Sequence, residues 1–249
     1  FERCRAGEPT MRDVLLPYLQ VFPARSSKNS TKGPFVAAKG GHNAEMHNHN
    51  DVGSFIAYSN TEPLLIDIGF ATYNAKTFSN RRYELTNCRS AFHNVPLING
   101  IEQIKGKEHK AKDVKYNKTG SYTSFALNIE DAYPNTAEVD KWRRTIRLNR
   151  GKNIVVTEDF KLRKFVKPTE IVLVCYGEPK IKIDGEIELN SETGNHFICY
   201  DSKMLTPAVE RIDITDPAVV DTWSKKPLYR IRLKLNTHQL KGTIRYSIR

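Results

Sequence analysis

The sequence predicts an all-β protein, a large antiparallel β-sandwich preceded by a short N-terminal helix or linker. From Pro34 onward, short runs of β-branched and aromatic residues follow one another, separated by Gly, Asn and Pro. Runs such as "RTIRLN" and "YRIRLKLN" alternate charged and apolar residues, as strands do between a core and water. The 249 residues, 39% of them hydrophobic, suffice for one large core. We therefore divide the chain into a linker, 1–33, and a sandwich domain, 34–249.

The N-terminal segment has a different pattern. "TMRDVLLPYLQVF" predicts a helix that begins at a capping Thr10 and is broken at Pro17, and "ARSSKNSTKG" predicts a loop. The start, "FERCRAGEPTMRD", is charged, lacks Met and does not resemble a signal peptide. We expect a fragment or a processed form, so a missing leader says nothing about the parent protein.

About eleven runs in the sandwich domain are strand candidates. In chain order they are "PFVAA", "VGSFIAYS", "EPLLIDIG", "YTSFALNI", "WRRTIRLN", "NIVVTEDFKL", "TEIVLVCYG", "IKIDGEIELN", "HFICYD", "LYRIRLKLN" and "TIRYSIR". The runs "WRRTIRLN" and "NIVVTEDFKL" predict a hairpin with "NRGKN" as its loop. So many strands with little helix favour two packed antiparallel sheets.

The chain is basic, with 39 lysines and arginines against 28 acidic residues and a net charge of +11. This charge favours a polyanionic partner, whether nucleic acid, an anionic membrane surface or an acidic polysaccharide, although a solvated basic surface is the simpler alternative. There is no block of five or six basic residues and no nucleic-acid-binding motif, so nucleic acid is not expected. No apolar run is long enough for a membrane span.

The four cysteines, Cys4, Cys88, Cys175 and Cys199, form no CxxC pair, which argues against a cysteine zinc site. Cys175 and Cys199 lie in apolar runs and are predicted to be buried thiols. A disulfide between these two remains an open alternative.

The segment "MHNHNDVGSF", residues 46–55, places His47, His49 and Asp51 at alternate positions. On a strand these side chains would share one face, about 6.6–6.8 Å apart. Asp67 ends an apolar strand and His93 interrupts another apolar stretch. Taken alone, Asp67 could be a turn-forming residue and His93 a hydrogen-bonded residue of the core. Together with the histidines they favour a His₂Asp metal site with an open position.

Three blocks in order, "KGGHNAEMHNHNDVGSFIAY", "EPLLIDIGFATYNAKTFSNRRYEL" and "SAFHNVPLING", resemble the heparinase II/III-like family of polysaccharide lyases. The densest match runs from about Phe35 to Gly100, and the β pattern downstream agrees with the family's C-terminal domain. The resemblance implies an N-terminal α/α toroid joined to a C-terminal β-sandwich, with the substrate groove between them. The toroid, which would supply part of the active site, is expected to be missing from this chain.

Carried over by residue, the resemblance implies a zinc site at His49, Asp67 and His93. It implies that His47 faces the substrate groove and that Tyr83 transfers a proton, with the nearby Tyr73 as the alternative.

Arg81, Arg82 and Asn48 are candidates for binding the acidic sugar. A solvated basic turn is the alternative for the two arginines, and loop ordering is the alternative for Asn48.

The implied activity is β-elimination in a uronic-acid polymer such as heparan sulfate, heparin or alginate, in a periplasmic or secreted bacterial setting. Oxyanion-type donors would stabilise the intermediate, and we favour a structural role for the zinc over Lewis-acid catalysis.

Two rivals remain. "HNHND" resembles the start of a metallo-β-lactamase motif, but Val52 stands where that motif has another His. A non-catalytic carbohydrate-binding sandwich could stack sugars on Trp142 or Trp223.

Overall fold

The structure, a computed structural model, describes residues 11–183 and 185–249. The described part of the chain contains eighteen strands: β1 Val21–Arg25, β2 Pro34–Lys39, β3 His42–Asn43, β4 Phe55–Ser59, β5 Glu62–Leu65, β6 Pro96–Leu97, β7 Gly106–Lys110, β8 Lys112–Lys118, β9 Tyr122–Asn128, β10 Val139–Asn149, β11 Asn153–Leu162, β12 Glu170–Tyr176, β13 Lys180–Ile181, β14 Glu186–Leu189, β15 His196–Tyr200, β16 Leu205–Ile212, β17 Leu228–Leu235 and β18 Lys241–Ile248. One α-helix, α1, spans Pro217–Thr222, and five single-turn 3₁₀ helices span Arg82–Glu84, Thr86–Cys88, Ser90–Phe92, Glu130–Ala132 and Asn135–Ala137. None of the helices in the described residues is long and apolar enough to cross a membrane.

The strands form an antiparallel sandwich, as the sequence predicts. An eight-stranded sheet has the order β13-β14-β15-β18-β11-β10-β9-β8. Two four-stranded sheets, β1-β2-β4-β5 and β16-β17-β12-β6, form the other layer. They abut where the Ile66 N–H donates to the Val174 carbonyl (2.8 Å), and the short pair β3-β7 lies beside them. One apolar core joins all three large sheets, and in it Phe22 of β1 stacks on Phe125 of β9 (5.5 Å).

Alternation along the sequence produces the two faces of each layer. In β17 the apolar Ile231, Leu233 and Leu235 are buried while the intervening basic residues face outward. The predicted hairpin is confirmed, because β10 and β11 pair from Asn149↔Asn153 back to Val139↔Leu162. Its turn contains Gly151 at φ +67°, a conformation that glycine adopts without strain.

The helix predicted over residues 10–22 is wrong for the part that the structure describes, and Thr10 lies outside it. Residues 11–16 are irregular and residues 17–20 form a turn, and backbone bridges at Asp13↔Ala24 and Leu16↔Val21 join the segment to β1. Pro17 disfavours a continuous helix, and pairing along β1 satisfies the backbone instead. The sheet therefore begins before residue 34.

Several strands escaped prediction because they lie at sheet edges or are very short. β8 ("KDVKYNK") is an edge strand of the eight-stranded sheet and buries little, so it lacks an apolar alternation. β16 is also an edge strand and contains Pro207, which an edge tolerates because no partner needs its missing N–H.

The cysteines of the described residues are free thiols. Cys88 and Cys175 are buried, and Cys199 is half-buried on β15. The possible Cys175–Cys199 disulfide is therefore not formed, and Cys4 lies outside the described residues.

Candidate metal centre and adjoining depression

Three separate loops bring His49, Asp67 and His93 together at one rim of the sandwich. Asp67 follows β5, His93 follows the 3₁₀ turn Ser90–Phe92, and His49 lies in the loop between β3 and β4. One ligand atom of each lies within 4.8 Å of the other two. The structure thus assembles the three residues for which the sequence predicts a metal.

His93 is fully buried and contacts a partner at each ring nitrogen. Its Nε2 lies 2.9 Å from the Asn87 carbonyl, so it must carry hydrogen and donate. Its Nδ1 lies 2.8 Å from Asp67 Oδ2. If the ring is neutral, the lone pair of Nδ1 faces the Asp67 carboxylate oxygen at 2.8 Å. Both atoms are then acceptors, and a proton or a cation must lie between them. A second ring nitrogen that donates to a backbone carbonyl is the usual arrangement of a metal-bound histidine.

The charges of the three residues suit a divalent cation. Burial raises the pKa of Asp67, but the His93 charge and the His93 and Gly69 hydrogen bonds outweigh it, so Asp67 stays a carboxylate. Burial and the His93 charge lower the pKa of His49 to about 4, which leaves its lone pair free. Burial also lowers the pKa of His93, yet Asp67 raises it overall to about 8, so a metal ion bound at Nδ1 would displace the proton that the ring otherwise carries there at neutral pH. Two imidazoles and one carboxylate fit zinc with one open position.

The strand interpretation of residues 46–55 is wrong, because residues 44–54 form turns. His47 has a positive φ of +57°, which breaks the alternation that would have placed three side chains on one face. His49 lies at the candidate metal centre, 5.2 Å from the His93 ring, whereas the Asp51 side chain ion-pairs with Lys39 (2.9 Å).

An open depression of about 710 Å³ adjoins the loop, and His47, Asn48, Arg82 and Tyr83 contribute to its lining. His47 Nδ1 lies 3.0 Å from the hydroxyl of the exposed Tyr73.

The His47 ring lies within 5.9 Å of both the Tyr73 and the Phe78 rings, and Phe78 is also exposed. His47 therefore stands in a small exposed aromatic cluster.

Tyr83 and Arg82 contact the loop beside His47. The Tyr83 hydroxyl accepts a hydrogen bond from Asn48 Nδ2 (3.3 Å). Arg82 donates to the Asn48 carbonyl (2.9 Å) and to the Thr77 carbonyl (2.7 Å), so it joins two loops. Tyr73 and Tyr83 thus both reach residues of the same loop.

Arg81 has a different environment from Arg82. Its side chain is exposed, pairs through two nitrogens with Glu84 (2.9 Å each), and does not line the depression. Its charge is thereby partly neutralised in the structure.

Sequence reasoning missed the residues that hold the site loops in place. Gln103 is buried, accepts from the Val52 N–H (3.0 Å) and Asn43 Nδ2 (3.1 Å), and donates to the Val52 carbonyl (2.9 Å). Asn87 holds His93 through its backbone, which carries no side-chain signal. Contacts across more than fifty residues leave no local pattern that could have revealed Gln103.

Neither tryptophan offers an exposed platform for a sugar. Trp142 is fully buried and donates to Glu158 (2.7 Å). Trp223 is half-buried, donates to the Ile68 carbonyl (3.0 Å) and stacks on Tyr176.

Comparisons with known proteins agree with this architecture. The heparan sulfate lyase HepC from Pedobacter heparinus superimposes with a TM-score of 0.74 at 12% identity, over 98% of this chain and 37% of that one. A heparinase III structure superimposes with a TM-score of 0.69 at 16% identity, over 96% of this chain and 36% of that one. The chain thus spans little more than a third of these structures, and at such identities the likeness shows the fold alone.

The sequence comparisons show the family. A comparison with curated protein sequences gave no match. The family described as "Heparinase II/III-like, C-terminal" matches residues 35–169, more than half of the chain. The chain therefore belongs to the heparinase II/III-like family and contains its C-terminal β-sandwich domain.

Proposed function

We propose that this chain is the C-terminal domain of a polysaccharide lyase that cleaves an acidic, uronic-acid-containing polysaccharide by β-elimination, with zinc at His49, Asp67 and His93. The observation that carries the proposal is the His₂Asp cluster, in which the buried His93 Nδ1 lies 2.8 Å from Asp67 Oδ2, next to a depression lined by His47 and Tyr83. Family membership supports the reaction class. The name of the matching HepC structure favours heparan sulfate as the substrate.

In the proposed reaction a base removes the proton α to the uronate carboxylate, the bond to the glycosidic oxygen breaks, and an acid protonates the departing oxygen. The product is an unsaturated sugar, and no water is consumed. His47 and Asn48 would hold the carboxylate, because donors near it stabilise the charge that develops as the proton leaves. Tyr83 would accept the proton and return it to the leaving group, with Tyr73 as the alternative.

Zinc, when bound, would supply positive charge that fixes the three loops together. His49, Asp67 and His93 would hold it, and the Asn87 carbonyl would orient the His93 ring. We propose a structural role, since His47 lies in the depression and is not one of the three clustered ligands. The remainder of the active site would come from an N-terminal helical domain of the same periplasmic or secreted protein.

Elemental analysis of the purified chain, after exhaustive dialysis, tests the zinc site. About one zinc per chain is expected in the wild type and in the control His238→Ala, whose exposed side chain lies outside the site. His49→Ala should lose the metal. A wild type that takes up no metal even after zinc is added back would refute the site.

A non-catalytic carbohydrate-binding domain is the second candidate, and the exposed rings of Tyr73 and Phe78 beside His47 favour it. The two candidates differ in product. A protein that includes the N-terminal domain should release unsaturated, ultraviolet-absorbing sugar if it is a lyase. Binding without that product would favour the second candidate.

A further inference from the structure

Residues 105–118 form a strongly basic segment, which we call the lysine ribbon. It holds six lysines and two acidic residues, a net +4 of the chain's +11, within fourteen residues. It comprises Lys105, β7, Ala111 and β8. The charge that looks evenly spread over the whole sequence is thus locally concentrated.

Most of this positive charge forms no ion pair with the carboxylates of the described residues. Lys112 pairs with Asp131 (2.7 Å). Within the described ranges no carboxylate forms an ion pair with the other five lysines, which are all exposed: Lys105, Lys107, Lys110, Lys115 and Lys118. The two acidic residues are engaged elsewhere, Glu108 beside His109 (3.5 Å) and Asp113 with Asn128 (2.9 Å).

The lysine ribbon is continuous with the depression. Lys105, Gly106 and Glu108 contribute to the lining that also includes His47. From there the backbone follows β7 and β8, which are separated by Ala111, and β8 has an irregularity at Asp113, whose φ is +49°. Its contour length is roughly 40 Å at about 3.3 Å per residue. Because β8 is the edge of the eight-stranded sheet, lysines on either side of it reach solvent.

We propose that the lysine ribbon is a binding surface for a linear anionic polysaccharide, which continues the depression and holds the part of the polymer beyond the reacting sugar. This rests on the proposed function. A row of unpaired cations that starts in the depression matches a polymer that carries anionic groups along its length. Lysines on an edge strand also prevent edge-to-edge pairing, a role that requires no ligand.

The test compares two triple variants with the same loss of charge. Lys107→Gln/Lys110→Gln/Lys115→Gln removes charge from the lysine ribbon. The control, Lys180→Gln/Lys203→Gln/Lys234→Gln, removes it from exposed lysines that form no ion pair among the described residues and lie on other strands and loops. Affinity for long heparan sulfate chains, for a short heparan sulfate oligosaccharide and for double-stranded DNA is measured at several salt concentrations.

The lysine-ribbon variant loses three exposed ionic contacts, and each contributes roughly a factor of two to three in affinity. Its affinity for the long chains should therefore be about tenfold lower. Its binding should also depend less steeply on salt, because fewer counterions are released. The control should bind long chains nearly as the wild type does, and the short oligosaccharide should bind all three proteins alike.

Equal weakening in both variants would show that net charge alone matters and would overturn the proposal. So would an equal loss for the short oligosaccharide, or wild-type binding of DNA as tight as that of the polysaccharide. These affinities do not depend on turnover. Failure of the lyase function would appear separately, as absent zinc and absent unsaturated product.

Discussion

His93 is held at both ring nitrogens, by the Asn87 carbonyl and by Asp67, and it has no exposed surface. A buried imidazole with this double contact has one orientation available. At the scale of the residue, the proposed metal centre therefore depends on Asp67, whose Oδ2 lies 2.8 Å from the His93 Nδ1.

Asp67→Ala should lower metal content and thermal stability together. The substitution removes one ligand and leaves His93 without its carboxylate. At a zinc concentration a hundredfold above Kd, loss of binding removes about 2.7 kcal/mol of stabilisation. Elemental analysis and thermal unfolding with and without zinc check this, with Asp140→Ala as a surface control. Full metal content in Asp67→Ala would mean that Asp67 only forms a turn.

His47→Ala should leave the metal in place and lower the lyase rate of a protein that includes the N-terminal domain. His47 lies in the depression and its partner is the Tyr73 hydroxyl, not the metal ligands. Loss of a donor to the developing charge is worth roughly 3–4 kcal/mol, or a factor of 10² to 10³ in kcat. If the variant loses zinc, the division of roles between His47 and His49 is wrong.

At the scale of the element, α1 anchors the segment that carries Tyr73. The Asp216 carboxylate accepts from the Ala218 N–H (3.0 Å) as the helix cap, and also from the Thr72 N–H and hydroxyl (3.0–3.2 Å). One side chain thus joins the start of a short helix to a loop 144 residues away.

Asp216→Ala should cost about 1 kcal/mol, the usual value of a lost N-cap. Hydrogen exchange should become faster at both the Thr72 and the Ala218 amides. Faster exchange at Ala218 alone would mean that Asp216 does not hold the Tyr73 segment.

Glu62, at the start of β5, fixes the loop after β14. Its carboxylate accepts five hydrogen bonds, from the Tyr176, Ser191 and Thr193 hydroxyls and from the Glu192 and Thr193 amides (2.6–2.9 Å). Burial raises the pKa of Glu62, but these donors outweigh it and lower the pKa to about 2.

A lowered pKa gives stability that is complete above the unfolded value of about 4.5 and is lost as the pH falls towards 2. Glu62→Gln should therefore reduce the free energy of unfolding by about 2 kcal/mol at pH 7, and the difference from wild type should shrink below pH 4. Urea unfolding of both proteins from pH 7 to pH 2.5 measures this difference in the free energy of unfolding. A difference that does not change with pH would show that shape, and not charge, holds the loop.

At the scale of the whole molecule, a buried ion pair connects the sandwich core to the metal-site loops. Arg144 of β10 and Glu158 of β11 are cross-strand partners with no exposed side-chain surface. Arg144 also donates to the Gly53 carbonyl (2.7 Å) and the Asn94 carbonyl (2.6 Å), next to the loops of His49 and His93.

Arg144→Met should destabilise the fold by about 3–5 kcal/mol, because it leaves the Glu158 carboxylate buried without a counter-charge. Arg144→Met/Glu158→Leu should recover much of this loss, since an apolar pair needs no counter-charge. Denaturant unfolding of both single variants and the double variant gives the coupling energy. A double variant no more stable than Arg144→Met would contradict the explanation.

The candidate site was predictable as a set of residues but not as a shape. Asp67 and His93 stand out because they are polar groups in apolar runs, and such groups need a partner when they are buried, whereas His49 was selected from "HNHND" by the family resemblance. That residues 44–54 form a loop and not a strand was not predictable, because distant contacts such as that of Gln103 with Val52 hold this loop.

The sequence by itself determined the sandwich and the hairpin of β10 and β11, since alternation with period two requires one buried and one solvated face. It also indicated the three candidate ligands. Only the tertiary structure decided that "HNHND" lies in a loop and not on a strand, and that Asp13 and Leu16 form bridges to residues of β1. It also decided that the basic stretch 105–118 begins at the depression. These depend on contacts between residues far apart in the chain, and local propensity contains no information about them.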